Sequence, residues 1–158
     1  MNVIFLDVDG VLNNAHTTDR VESYIGIDDN KVILLKQVVD YFDAKIVLSS
    51  TWRHEVDNHI AKYLTGKLEK QGLKIYDITP NIGWYVRAKE IATWLADEHE
   101  YSIENIIILD DEYFNWYEYQ LEQYWVPTEY YSENGGLTTD IVNDIINNKE
   151  RFIYNKEE

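Results

Sequence analysis

The stretch Phe5-Leu6-Asp7-Val8-Asp9-Gly10-Val11-Leu12 decides the fold of this chain. It continues an apolar run, Val3 to Val8, of the kind found in a strand buried on both faces. Two carboxylates at i and i+2 then leave the strand, and Gly10 can take the positive φ of a tight turn. Backbone N–H groups in such a turn can form a nest that accepts an anion such as phosphate. A strand closing in an Asp-Gly turn would explain the letters alone. An apolar strand beginning at residue 3 makes chemistry the better reading.

Outward from this strand, short apolar runs alternate with helical patterns, as in a parallel sheet covered by helices. A loop from Asn13 to about Gly26 leads to a helix capped by Asp28 or Asp29. Val32, Leu35, Val39 and Phe42 recur in it at helical spacing. Lys45 to Leu48 reads as the second strand, ending in Ser49-Ser50-Thr51. A helix from about His54 to Leu64 stops near Gly66. Leu73 to Ile78 reads as the third strand, closed by Pro80, and residues 81 to 86 form a loop. Arg87 to Asp97 is a helix with Ala88, Ile91, Ala92 and Leu95 on one face. Ile106 to Leu109 is the fourth strand, ending in Asp110-Asp111, and Tyr124 to Val126 is a short fifth. Thr138 caps the last helix, with Leu137 stapled onto Val142. The expectation is one α/β domain over 1–158: a three-layer, Rossmann-like fold with a five-stranded, mainly parallel sheet. The tail Asn155 to Glu158 is the stretch where disorder is expected.

Ligands of open parallel sheets bind beyond the carboxyl ends of the strands. Here those ends carry Asp7 and Asp9, then Ser49 to Thr51, then Asp110 and Asp111. Four carboxylates on one edge repel one another unless a cation neutralises them. With only oxygen ligands on offer, a hard ion such as Mg²⁺ is favoured.

These residues carry a resemblance to a known family. The run at 5–12 resembles the first motif of the haloacid dehalogenase (HAD) superfamily. Ile46-Val47-Leu48-Ser49 is similar to the second, Arg87 or Lys89 to the basic third, and Ile106 to Asp111 to the acidic fourth, in the family's order. A narrower resemblance rests on Val-Leu-Ser-Ser-Thr-Trp-Arg (47–53), Arg-x-x-Glu-Ile-x-x-Trp-Leu (87–95) and Gly-Leu-Thr (136–138). These are similar to a group of small phosphatase domains, some of which occur in RNA-repair proteins.

The resemblance implies a Mg²⁺-dependent phosphohydrolase acting on phosphate monoesters. Asp7 would attack phosphorus and become an aspartyl-phosphate, and Asp9 would act as acid and then base. The metal would be held by Asp7, the Asp9 backbone carbonyl and Asp110 or Asp111. Ser49 and the Ser50 N–H would bind phosphoryl oxygens, with Gly10 in the turn. Arg87, which fits the narrower pattern, or Lys89, the residue type usual for the superfamily, would neutralise the remaining charge. Arg53 would reach a substrate phosphate or serve in a salt bridge. Asn13 and Asn14 would line the entrance or form a turn. His16, His54, His59 and His99 have no metal-ligand spacing and are expected at the surface.

Neither 13–26 nor 66–86 has room for a cap domain, so the site is expected to be open. It would accept a small phosphate ester, a nucleic-acid end or a phosphoprotein. The aromatic segment Tyr113 to Tyr131 offers a stacking wall. Packing against the sheet edge explains it better, because no basic residues are interleaved.

Composition narrows the classes. Apolar residues make up 45% and charged residues 27% of the 158, as in an ordinary globular chain. The net charge of −15 disfavours nonspecific nucleic-acid binding. No apolar run approaches the roughly 20 residues of a membrane helix. The absence of cysteine and of a signal-type start suits a cytoplasmic setting. Two other classes compete: a phosphoacceptor signalling module and an inactive partner-binding module. The first would put its phosphoacceptor at strand three, which ends in Ile78-Thr79-Pro80 with only Asp77 nearby. Nothing in the sequence argues for the second.

Overall fold

The computed structural model describes residues 1–55, 59–98 and 102–154, without the side chains of 54 and 55. The expected tail disorder at 155–158 falls outside them. Five strands form one sheet: β1 (Asn2–Leu6), β4 (Ala44–Leu48), β5 (Ile75–Ile78), β6 (Asn105–Asp110) and β7 (Trp125–Pro127), in the order β5-β4-β1-β6-β7. Every neighbouring pair is parallel.

The pleat of β1 sorts its side chains into two cores. Ile4 and Leu6 pack with α1 (Asp29–Phe42), α2 (His59–Glu69) and α4 (Thr139–Asn147) on one face. Val3 and Phe5 face α3 (Arg87–Asp97) and the 3₁₀ turns around Trp116 and Tyr124 on the other. This is the three-layer, Rossmann-like α/β architecture, and among the described residues no separate cap domain is present. No helix among them is long and apolar enough to cross a membrane.

Several boundaries differ from expectation. The first strand ends at Leu6, which leaves Asp7 just beyond it. The loop 13–26 contains a two-residue hairpin, β2 (Arg20–Val21) with β3 (Tyr24–Ile25). Residues 51–55 form a 3₁₀ turn, and α2 runs through Gly66 to Glu69. A Cβ at Gly66 would meet open space, and Ile60, Leu64 and Leu68 continue the buried stripe across it. Packing therefore outweighs the cost of a mid-helix glycine, about 1 kcal/mol. Asp28 holds the N-cap position of α1, but its carboxylate accepts from Thr17 Oγ1 (2.7 Å) instead of capping. Thr138 does cap α4, accepting from the Ile141 N–H at 3.2 Å.

Candidate active site

The sheet register sets the site. Leu6 pairs with Leu48 on one side and Leu109 on the other. One residue further, the Ser49 N–H donates to Leu6 O and the Asp7 N–H to Leu109 O, both at 3.0 Å. Asp7, Ser49 and Asp110 thus stand side by side at the carboxyl edge of three adjacent strands, about 4.8 Å apart as sheet geometry dictates.

Carboxylate oxygens of Asp7, Asp110 and Asp111 all lie within 4.8 Å of one another. Asp7 and Asp110 are buried, and Asp111 is half-buried. One guanidinium answers them. Arg87, at the start of α3, approaches Asp110 Oδ2 to 2.6 Å and Asp7 Oδ1 to 3.4 Å. Its plane lies over the Phe114 ring, 4.5 Å from the centroid. Burial pushes the Asp7 carboxyl well above its ordinary range, and Asp110 beside it adds to this. Burial likewise raises Asp110 to about 6, against the pull of Arg87. Asp111 is also raised by burial. Burial works against the Arg87 charge, but Asp7 and Asp110 outweigh it and hold its pKa above the ordinary value.

Asp9 is held separately. Its two oxygens accept from Asn13 Nδ2 (3.0 Å) and Trp52 Nε1 (3.1 Å). Asn13 Oδ1 also accepts from the Gly10 N–H at 2.9 Å, and Thr128 Oγ1 donates to the Gly10 carbonyl. Gly10 has φ 81°, and a Cβ there would sit 2.6 Å from Asp111 Cβ. Only glycine lets the turn pass this close to the acidic cluster. Asn13 and Asn14 are buried hydrogen-bonding residues and not an entrance lining.

Ser49 is fully buried, and its hydroxyl has no hydrogen-bond partner. Arg53 donates to the carbonyls of Ser49 (2.7 Å) and Ser50 (3.0 Å) and pairs with Glu90 (2.7 Å), all within the interior. Arg87 faces the cluster with the buried stripe of α3, whereas Lys89 is exposed and outside it. His16 and His59 are exposed; His99 and the side chain of His54 lie outside the described residues.

The family described as "HAD domain in Swiss Army Knife RNA repair proteins" matches residues 3–142. The chain belongs to that family. In structure this HAD domain is similar to the HAD domain of the effector protein Lem4 from Legionella pneumophila. That likeness has a TM-score of 0.54 and 17% identity, covers 93% of this chain and 94% of that one, and concerns the fold. No curated protein matches the sequence significantly.

The acidic cluster of this HAD domain suits a metal. Three carboxylates offered to one point, with a single arginine to balance them, leave an excess of negative charge on oxygen donors. Beside the cluster opens a cavity of about 770 Å³, lined among others by Asp7, Asp9, Trp52, Arg53, Arg87 and Asp111. Its rim carries Trp84 and Tyr85, from the loop 81–86, for which the sequence carries no functional signal. Trp52 and Glu90 also line it, and their signal in the sequence is the 47–53 run and the 87–95 pattern that contain them. The aromatic segment divides: Trp116 and Tyr124 are buried and Phe114 lies under Arg87, whereas Tyr113, Tyr117, Tyr119 and Tyr131 are exposed.

Proposed function

We propose that the chain is a Mg²⁺-dependent phosphohydrolase of phosphate monoesters, working through an aspartyl-phosphate on Asp7. The observation that carries this reading is the meeting of Asp7, Asp110 and Asp111 beside an open cavity. Asp7 attacks phosphorus, the ester oxygen leaves, and water then cleaves the aspartyl-phosphate, so one hard step becomes two easier ones. Asp9, oriented through both its oxygens by Asn13 and Trp52, gives the leaving oxygen a proton and later takes one from water.

The unpartnered Ser49 hydroxyl binds a phosphoryl oxygen, with the Ser50 N–H as a second donor. Arg87 neutralises charge at the same centre; the exposure of Lys89 leaves it outside this role. Arg53 acts through the carbonyls of Ser49 and Ser50 and fixes the strand end. Mg²⁺ would be held by Asp7, the Asp9 carbonyl and the pair Asp110 and Asp111. When bound it supplies charge neutralisation for an anionic nucleophile meeting an anionic ester.

The family's description favours an RNA end as the phosphate carrier, and the open cavity leaves space for one. The lack of cysteine suits a cytoplasmic setting. The test is phosphate release from an aryl phosphate with Mg²⁺, for the wild type and for Asp7→Asn. Turnover abolished by the substitution is expected. A lasting phosphoprotein without turnover would mean a signalling module, and neither product would mean a binding module.

A further inference from the structure

Trp84 is 88% exposed and Tyr85 is 80% exposed. The other tryptophans are not: Trp52, Trp94 and Trp116 are buried, and Trp125 is half-buried. Both exposed rings line the cavity that holds Asp7. Two large aromatic surfaces left in water at the mouth of a cleft gain free energy when a flat ligand covers them.

The loop that carries them is anchored at both ends. The Ile82 N–H donates to Glu90 Oε2 at 2.8 Å, the same oxygen that pairs with Arg53. At the other end Arg87 begins α3 and is held by Asp110. Between these anchors Tyr85 adopts φ 56°, a conformation that disfavours a bulky side chain. Such strain, held beside a candidate site, points to a use for the residue.

Charge narrows the ligand. The described lining residues include the acids Asp7, Asp9, Glu90, Asp111 and Glu112, and both lining arginines are already in ion pairs. The cleft therefore suits one phosphate attached to a neutral, planar group, and gives no cation to a second phosphate. Its volume of about 770 Å³ admits a nucleoside.

We propose that Trp84 and Tyr85 form a stacking platform for the base of the nucleotide whose phosphate enters the Asp7 site. This rests on the phosphohydrolase reading and adds the residues that select the substrate. The platform holds the terminal base and favours single nucleotides or frayed ends over duplex ends.

The test is calorimetric titration of the Asp7→Asn protein, with Mg²⁺, against adenosine monophosphate, phenyl phosphate and glycerol phosphate. The same titrations follow with Trp84→Ala and Tyr85→Ala added; both side chains are exposed, and a melting curve checks that the fold is kept. The expected result is a roughly ten- to hundredfold loss of nucleotide affinity, as for removal of a stacked base. The preference for nucleotide over glycerol phosphate collapses with it. An unchanged preference overturns the platform, and so does an equal loss for phenyl phosphate, which would mean that any aryl group is held. Because binding needs no turnover, the two readings fail separately. Nucleotide binding through these rings in a chain that releases no phosphate would keep the platform and sink the phosphohydrolase.

Discussion

Arg87 and Asp110 are joined by an ion pair of 2.6 Å, and the same Arg87 nitrogen lies 3.4 Å from Asp7. One guanidinium nitrogen thus serves two buried carboxylates, Asp110 at the end of β6 and Asp7 just beyond β1. Removing it leaves both without their counter-charge. Arg87→Ala is expected to cost about 3–5 kcal/mol in metal-free protein, as for a broken buried pair. Urea denaturation at neutral pH measures this. Arg87→Lys should recover part of the loss, because an ammonium keeps the charge but cannot present the planar fork.

Metal and protons should compete for the same oxygens. The Asp110 pKa is about 6 in the fold, raised by burial, against roughly 4 in an unfolded chain. Between these values the native state binds more protons than the unfolded state. The stability of the metal-free protein therefore falls as pH rises through this window. Mg²⁺ should raise the melting temperature more at neutral pH than near pH 5, where protons already neutralise the cluster. Asp110→Asn should flatten both the pH slope and the Mg²⁺ response in thermal-shift measurements.

Gly10 tolerates no side chain. Gly10→Ala imposes a left-handed backbone cost of about 1–2 kcal/mol and drives a methyl into Asp111. Lower stability is expected, together with loss of the Mg²⁺-induced shift in melting temperature. A variant that keeps the full Mg²⁺ shift would mean that Asp111 is no part of the metal site.

Trp52 donates from its indole N–H to Asp9, and the rest of the ring packs in the core. Trp52→Phe keeps most of the packing and deletes the donor. A misaligned acid–base group should lower kcat by about ten- to a hundredfold with little change in KM. Steady-state kinetics on an aryl phosphate separates the two parameters. A change confined to KM would mean that Trp52 contacts substrate and does not position Asp9.

Much of this arrangement was legible in the sequence because it follows from strand periodicity. Val3 to Leu6, Ile46 to Leu48 and Ile106 to Leu109 are apolar on both faces, so their ends, and the polar residues there, could be located to within a residue or two. The sides of a helix were harder to read. Arg87 and Lys89 were both candidates, and only the packing of Ala88, Ile91 and Leu95 against the sheet turns Arg87 inward. Gly66 misled because helix-breaking propensity is weaker than a continuous apolar stripe. The hairpin at 20–25 was missed because two-residue strands leave almost no alternation to detect. Trp84 and Tyr85 are not legible in the sequence because exposure of a large ring is a tertiary fact. Nothing in the letters distinguishes these rings from Trp116, which lies in the core.

The strand order also dictates when the site can form. β1 lies between β4 and β6, and its Asn2 pairs with Ala44 on one side and Asn105 on the other. Such distant pairings carry a loop-closure cost before any contact repays it, so folding is slowed by topology. The first strand waits for partners roughly 40 and 100 residues downstream in the chain, as those pairings imply. Asp7 and Asp110 meet only at the step that completes the centre of the sheet, so the acidic cluster and the cooperative core arise together.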